Sequence, residues 1–348
     1  MSPDLDIETT VINGQSRVVH QRLVAENAFC TLTEYFPEHS SGSPRILLVA
    51  PLSGHYSVLL REMVIGLLPR FRVYVTNWIN AGEVPASEGP FGLDQNIDYL
   101  FDFIAVAGEG VNVVALCQAV VPALAAVAIL SKRNQESAVG SLTLIGGPID
   151  PLANPTRVVN LLRAHELAWF EENVLRLAPE WSAAHGRLVY PGYAQLTSLM
   201  AYLNRHVMQR GELFYKVFSD DGLDPVGHPF FTLFTSVMDL PGEYFLDNIN
   251  AVFHRRDICC RSLSWSGETV DPGQITSIPL MTIEGEDDDI AAPGQTFAAH
   301  GLCPRIPESM RHHLLVPACG HFSLFYGNKW RSRVLPELGA FLEGVEGG

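Results

Sequence analysis

Residues 111–130, VNVVALCQAVVPALAAVAIL, carry no charge over twenty consecutive positions. So apolar a run either crosses a bilayer as one helix or lies in the middle of a protein core. Its first six residues, VNVVAL, favour strand, and Pro122 would sit awkwardly in the middle of a continuous span. The flanking sequence is ordinary globular chain. The run is therefore read in three pieces: a buried strand over 111–116, a tight turn at Cys117 and Gln118, and a helix beyond it. Pro122 then falls in the first helical turn, where a missing N–H costs little. A strand that is apolar at nearly every position belongs to a sheet covered on both faces.

The rest of the chain fits such a sheet. RILLVA (45–50), FRVYVTNW (71–78), SLTLIG (141–146), PLMTIEG (279–285) and HLLVPA (313–318) are further apolar strands. Most alternate with helical segments, including one over 93–107 and a last one over 329–342, as in a parallel α/β sheet. Three β-branched stretches at 7–13, 18–24 and 28–35 predict antiparallel strands at the N-terminus. Between residues 150 and 256 the strand signal fades into a helical pattern, with loops expected at 177–193 and 220–229. That segment holds 15 of the chain's 33 aromatic residues, which suits a cap over an apolar cleft. The fold expected is an α/β-hydrolase: a mostly parallel central sheet with N-terminal antiparallel strands and a helical lid insertion. Its core is divided into residues 1–149 and 257–348, with the lid at 150–256.

A net charge of −15 argues against nucleic acid or anionic lipid as partner. The N-terminus, MSPDLDIETTVINGQ, has neither a basic nor an apolar leader region, so no signal peptide is expected. The six cysteines are scattered, with no C-x-x-C pair, which predicts a reduced, cytoplasmic chain without a zinc site.

In this fold the nucleophile stands on a strand-to-helix turn flanked by small residues two positions away. Ala115-Leu116-Cys117-Gln118-Ala119 meets that requirement with cysteine in place of serine. The acid belongs after a later strand. Asp287, Asp288 and Asp289 follow PLMTIEG, and Asp288 lies three residues past Gly285, although one of the three acids is equally suited to cap the next helix. The base belongs after the last strand, where His321 stands in a Gly-His turn. The order Cys117, Asp288, His321 is the nucleophile–acid–base order of the fold, and an imidazolium beside the thiol would hold it as thiolate. Backbone N–H groups of Gln118 and of Leu52, in the loop Pro51-Leu52-Ser53-Gly54-His55, are the expected oxyanion donors. Ser53 and His55 are candidate substrate contacts.

Several long stretches, among them VAPLSGHYSVLLREMV, CQAVVPALAA, GGPIDPLANPT, LAWFEENV, MTIEGEDDDIAAPGQT and CGHFSLFYGNKWR, resemble the intracellular polyhydroxyalkanoate (polyhydroxybutyrate) depolymerases of bacteria. The resemblance runs from about Asp6 to the C-terminus. It implies a cysteine nucleophile at Cys117 with Asp288 and His321 as partners, and hydrolysis of 3-hydroxyacyl esters through a thioester-linked acyl-enzyme. It implies no metal or organic cofactor. The substrate is then a polyester, an oligoester or a small ester, with a granule surface as a further partner; oligomerisation is left open. The sequence departs from the family pattern at Asn77, where Asp is common, at Ala119, where Pro often follows the Gln, and after His321, where FSLF replaces a Tyr-Gly pair. Family members usually begin with a further helical segment that this sequence lacks, which favours an oligomer or a small ester over granular polymer. The rival readings are an acyltransferase of the polyhydroxyalkanoate synthase type, whose nucleophile box has glycine where Ala115 and Ala119 stand, and a granule-binding protein that keeps the fold without the chemistry.

Overall fold

The chain is built on one nine-stranded sheet, and the sheet's strand order decides where the chemistry can sit. The structure is a computed structural model that describes residues 5–197 and 236–346. The strands are β1 (Thr9–Ile12), β2 (Gln15–Asn27), β3 (Cys30–Pro37), β4 (Arg45–Val49), β5 (Arg72–Trp78), β6 (Val111–Leu116), β7 (Val139–Ile145), β8 (Leu280–Gly285) and β9 (Arg311–Val316). They lie in the order β1-β2-β3-β5-β4-β6-β7-β8-β9. The first three meander antiparallel, and β3 runs antiparallel to β5. From β5 to β9 every pairing is parallel. The α/β-hydrolase architecture expected from the sequence is the one observed.

Register aligns the C-terminal ends of the parallel strands along one edge. Val49 pairs with Ala115, Leu116 with Ile145, Ile145 with Ile283, and Gly285 with Val316. The loops that follow β4, β6, β8 and β9 therefore converge on one edge, which is where open parallel sheets bind their ligands.

Helices α1 (Arg61–Leu67), α2 (Leu93–Ala107) and α3 (Val120–Lys132) cover the faces of the sheet. Every residue of α3 from Val120 to Ser131 is buried, because β6 and β7 lie beneath it while α2 and the turn at 272–274 cover its outer side. A helix enclosed on all sides needs no polar face, which accounts for the missing charge in 111–130. Among the described residues no helix is long and apolar enough to cross a membrane.

Between β7 and β8 the chain leaves the sheet. It forms α4 (Arg157–Arg163), α5 (Leu167–Asn173), a small antiparallel sheet of Arg176–Leu177, Leu188–Tyr190 and Leu240–Pro241, and α6 (Gly242–Asn248), which continues as a wider π-type turn over Ile249–His254. The small sheet departs from the purely helical pattern predicted for 150–256, and Leu188–Tyr190 falls in the loop expected over 177–193. Strands of two or three residues are too short to leave a period-two signal. The loop expected at 220–229 lies outside the described residues. Arg187 ties this excursion to the core: buried, it donates to the carbonyls of Val84 (3.2 Å), Pro85 (2.6 Å) and Gly89 (2.8 Å) and lies over the Phe29 ring. The final helix, α7 (Leu335–Glu346), follows a π-type turn at Trp330–Val334.

Candidate active site

β6 is buried at all six positions and sits at the centre of the sheet, so its end is held rigidly. Immediately after it, Cys117 takes a φ of +50°, in the left-handed region that residues with a Cβ avoid. Such a conformation costs about 1 kcal/mol or more and persists only where the surroundings dictate it. They do so here by crowding. The chain turns at once into Cys117–Ala119 and then α3, with Ala115 and Ala119 both buried. Across the turn lies Gly147, where a Cβ would come within 2.3 Å of the Cys117 carbonyl oxygen and of Val120 Cγ2. The turn thus packs on bare backbone. Cys117 itself stays half-buried, three residues before α3 begins at Val120.

Asp288 lies three residues past the end of β8 and is buried. Its two oxygens do different work. Oδ1 accepts from the backbone N–H of Ile290 (2.9 Å) and of Ala291 (2.8 Å), and Oδ2 accepts from Nδ1 of His321 (2.7 Å). The sequence left open whether one acid caps the following turn while another pairs with His321; one carboxylate does both. Asp287 is exposed at the surface.

His321 follows β9 and is likewise buried, with its ring edge-on to Phe322 and Phe325 at 5.5 and 5.9 Å. Burial in this setting opposes charge on the imidazole. The carboxylate of Asp288, and after it the neighbouring Cys117, outweighs it, and the His321 pKa stands well above the ordinary histidine value. Since Nδ1 is committed to Asp288, Nε2 is the nitrogen left for the thiol. Gly146 closes the back of this pair: its φ is +54°, and a Cβ there would stand 3.5 Å from both Asp288 Oδ2 and His321 Cε1 and 2.8 Å from Leu324 Cδ1. Nothing in the periodicity of 141–147 singles out the Gly146-Gly147 pair; two adjacent glycines directly after a buried strand are the signal that marks it.

The loop after β4 is anchored by side chains of β5. Thr76 Oγ1 accepts from Ala50 N–H (2.8 Å), and Trp78 Nε1 donates to the Ala50 carbonyl (2.8 Å). Leu52, two residues on, is buried, and among the described residues no hydrogen-bond acceptor meets its N–H. Gln118 is the second residue of the turn, where N–H groups lack intrahelical partners. His55 is half-buried, with its ring edge-on at 6.3 Å to that of Phe322, the residue after His321. Ser53 is half-buried on the same loop, and among the described residues no contact joins it to Asp288 or His321. Asn77, the departure from the family's Asp, donates to Thr33 Oγ1 (3.0 Å) and accepts from Ser57 Oγ (2.5 Å), a structural role beneath the loop. Among the described residues no group of three or more His, Cys, Asp or Glu is arranged to hold a metal.

A family model described as PHB de-polymerase C-terminus matches residues 146–346, more than half of the chain. The chain belongs to the PHB depolymerase family. The matched region contains Gly146, Gly147, Asp288 and His321, while Cys117 and Leu52 lie upstream of it. Membership makes this chain an ester hydrolase. No curated protein matches the sequence. Among solved structures, the depolymerase-family chain is similar to a putative aryl esterase from Burkholderia cenocepacia, at 15% identity and a TM-score of 0.54 over 94% of this chain and 100% of that one. It is also similar to a putative lipase from Acinetobacter baumannii AYE (12%, TM-score 0.53, 94% and 92%) and to the Cif epoxide hydrolase from Acinetobacter nosocomialis (14%, TM-score 0.52, 93% and 89%). These likenesses establish the shared α/β-hydrolase fold.

Proposed function

We propose that this depolymerase-family chain hydrolyses 3-hydroxyalkanoate ester bonds, of the poly- or oligo-3-hydroxybutyrate type, with Cys117, His321 and Asp288 as its triad. The observation that carries the proposal is the left-handed Cys117 on the β6–α3 turn, at the same sheet edge as a buried His321 whose Nδ1 is held 2.7 Å from Asp288. In acylation the Cys117 thiolate attacks the ester carbonyl carbon, and the carbonyl π electrons move onto oxygen, facing the N–H groups of Leu52 and Gln118. Collapse breaks the C–O bond. The departing alkoxide takes the Nε2 proton of His321 and leaves as the hydroxyl end of the shortened chain, with the acyl group as a Cys117 thioester. In deacylation His321 Nε2 removes a proton from water, the resulting hydroxide adds to the thioester, and collapse returns the thiolate beside an imidazolium. Asp288 keeps the ring in the tautomer that both steps need.

We read residues 150–256 as the lid and Ser53 and His55 as rim contacts for the substrate; the ring contact of His55 with Phe322 supports the latter. A cytoplasmic site of action, with granules as one substrate surface, belongs to the same reading. The test is incubation of the pure protein with amorphous polymer granules, soluble 3-hydroxybutyrate oligomers and short p-nitrophenyl esters. Free 3-hydroxybutyrate should appear from at least one of the first two, and Cys117→Ala should abolish it. Hydrolysis at the wild-type rate by Cys117→Ala would overturn the mechanism; activity confined to p-nitrophenyl esters would overturn the substrate class.

A further inference from the structure

We propose that Gln195 is a positioning residue that holds the oxyanion loop in its working shape by clamping the far end of that loop to residues 236–238. The inference rests on the reading of Leu52 as an oxyanion donor.

The two ends of the loop Pro51–His55 are fixed by different parts of the chain. The near end is held by the sheet, through Thr76 and Trp78 on Ala50. The far end is held by the excursion between β7 and β8. The Gly54 carbonyl accepts from Met238 N–H (2.7 Å), His55 forms an antiparallel bridge with Val237, and Tyr56 N–H donates to the Ser236 carbonyl (3.3 Å). Gly54 cannot set this shape by itself. Its φ of +102° is open chiefly to glycine, and a residue without a Cβ has the most conformations to lose.

Gln195 supplies the missing constraint. It is buried, and its Nε2 uses both protons, donating to the Tyr190 carbonyl (2.9 Å) and to the Met238 carbonyl (2.9 Å). One amide thus joins the two sides of the excursion, and the residue it grips, Met238, in turn donates its own N–H to the Gly54 carbonyl. Meanwhile Oε1 of Gln195 lies 1.6 Å from where a Cβ on Gly54 would stand, so the amide rests directly on the Gly54 Cα. Leu52 lies two residues from each anchored end. With the far anchor loosened its N–H can swing, and a donor displaced by about 1 Å loses most of its value in a transition state.

Gln195→Met keeps the volume and removes both hydrogen bonds; Gly54→Ala displaces Gln195 from the opposite side. With p-nitrophenyl butyrate, each should lower kcat about 10- to 100-fold while KM moves less than about threefold, the pattern for an interaction made in the transition state. Alkylation of Cys117 by iodoacetamide forms no oxyanion, so its rate should stay within about twofold of wild type, which loss of the thiol–imidazole pair would not allow. Wild-type kcat in either variant, or kcat and alkylation falling together, overturns the clamp. Cys117→Ala run alongside separates the two readings. If it keeps activity, the nucleophile assignment fails and the oxyanion reading with it. If it is inactive while the Gln195 and Gly54 variants match wild type, only the clamp fails.

Discussion

Asp288→Asn separates orientation of the imidazole from every other task of that side chain. The carboxylate has two engaged oxygens, and the amide must choose which to keep. If its NH2 faced Ile290 and Ala291, two backbone N–H groups, now 2.9 and 2.8 Å from Oδ1, would meet a donor. That loses two hydrogen bonds, at about 1 kcal/mol or more each. The amide oxygen therefore stays on those N–H groups, and the NH2 turns to His321 Nδ1. The ring must then accept at Nδ1 and carry its proton on Nε2, facing Cys117. It can no longer stand as the imidazolium that holds the thiolate, and no free nitrogen remains to take a proton from water. Loss of the correct tautomer in a triad costs about 10³- to 10⁴-fold in kcat, equivalent to about 4–5.5 kcal/mol. The cap survives in Asp288→Asn and is lost in Asp288→Ala, so at any one pH the alanine variant should be the less stable of the two by about 1 kcal/mol. Steady-state hydrolysis of p-nitrophenyl butyrate near neutral pH, with urea melts of both variants, measures the pair. An Asp288→Asn enzyme within tenfold of wild type, or one as unstable as Asp288→Ala, would refute the reasoning.

The raised pKa of His321 also makes stability depend on pH in a definite direction. Its charged form is favoured by the fold, so the contribution is complete below the unfolded value of about 6.5 and is lost as pH rises through the folded value. The difference in melting temperature between wild type and Asp288→Asn should be largest near pH 6 and shrink toward pH 10; a difference that grows with pH contradicts the pairing. Gly147→Ala places a Cβ 2.3 Å from a backbone oxygen that has nowhere to move. It should lower unfolding free energy by about 1–3 kcal/mol and reduce activity with it. Gly301→Ala, in a helical turn with nothing within 4 Å of the added Cβ, should be neutral or slightly stabilising in the same urea melts.

Much of the molecule is written in local pattern. The strand over 111–116 and the helix over 93–107 were legible to the residue, because one is apolar throughout and the other carries a single apolar stripe. The site followed from those strands: Cys117, Asp288 and His321 each stand just past the C-terminal end of a strand, and parallel strands put such ends on one edge. The sequence by itself therefore determined the sheet, the order of Cys117, Asp288 and His321 along it and the edge they share. It could not show that one carboxylate both caps a turn and orients the histidine, because that depends on which oxygen faces which loop. Nor could it reveal Gly146 and Gly147, whose necessity arises from atoms 27 and more residues away in the chain. The far anchor of the loop Pro51–His55 is the most distant case. Gln195 and Met238 lie more than 140 residues from Gly54, and their hydrogen bonds leave no periodic trace. Such contacts join segments that are adjacent only after the chain has left the sheet and returned, so tertiary structure alone decided them.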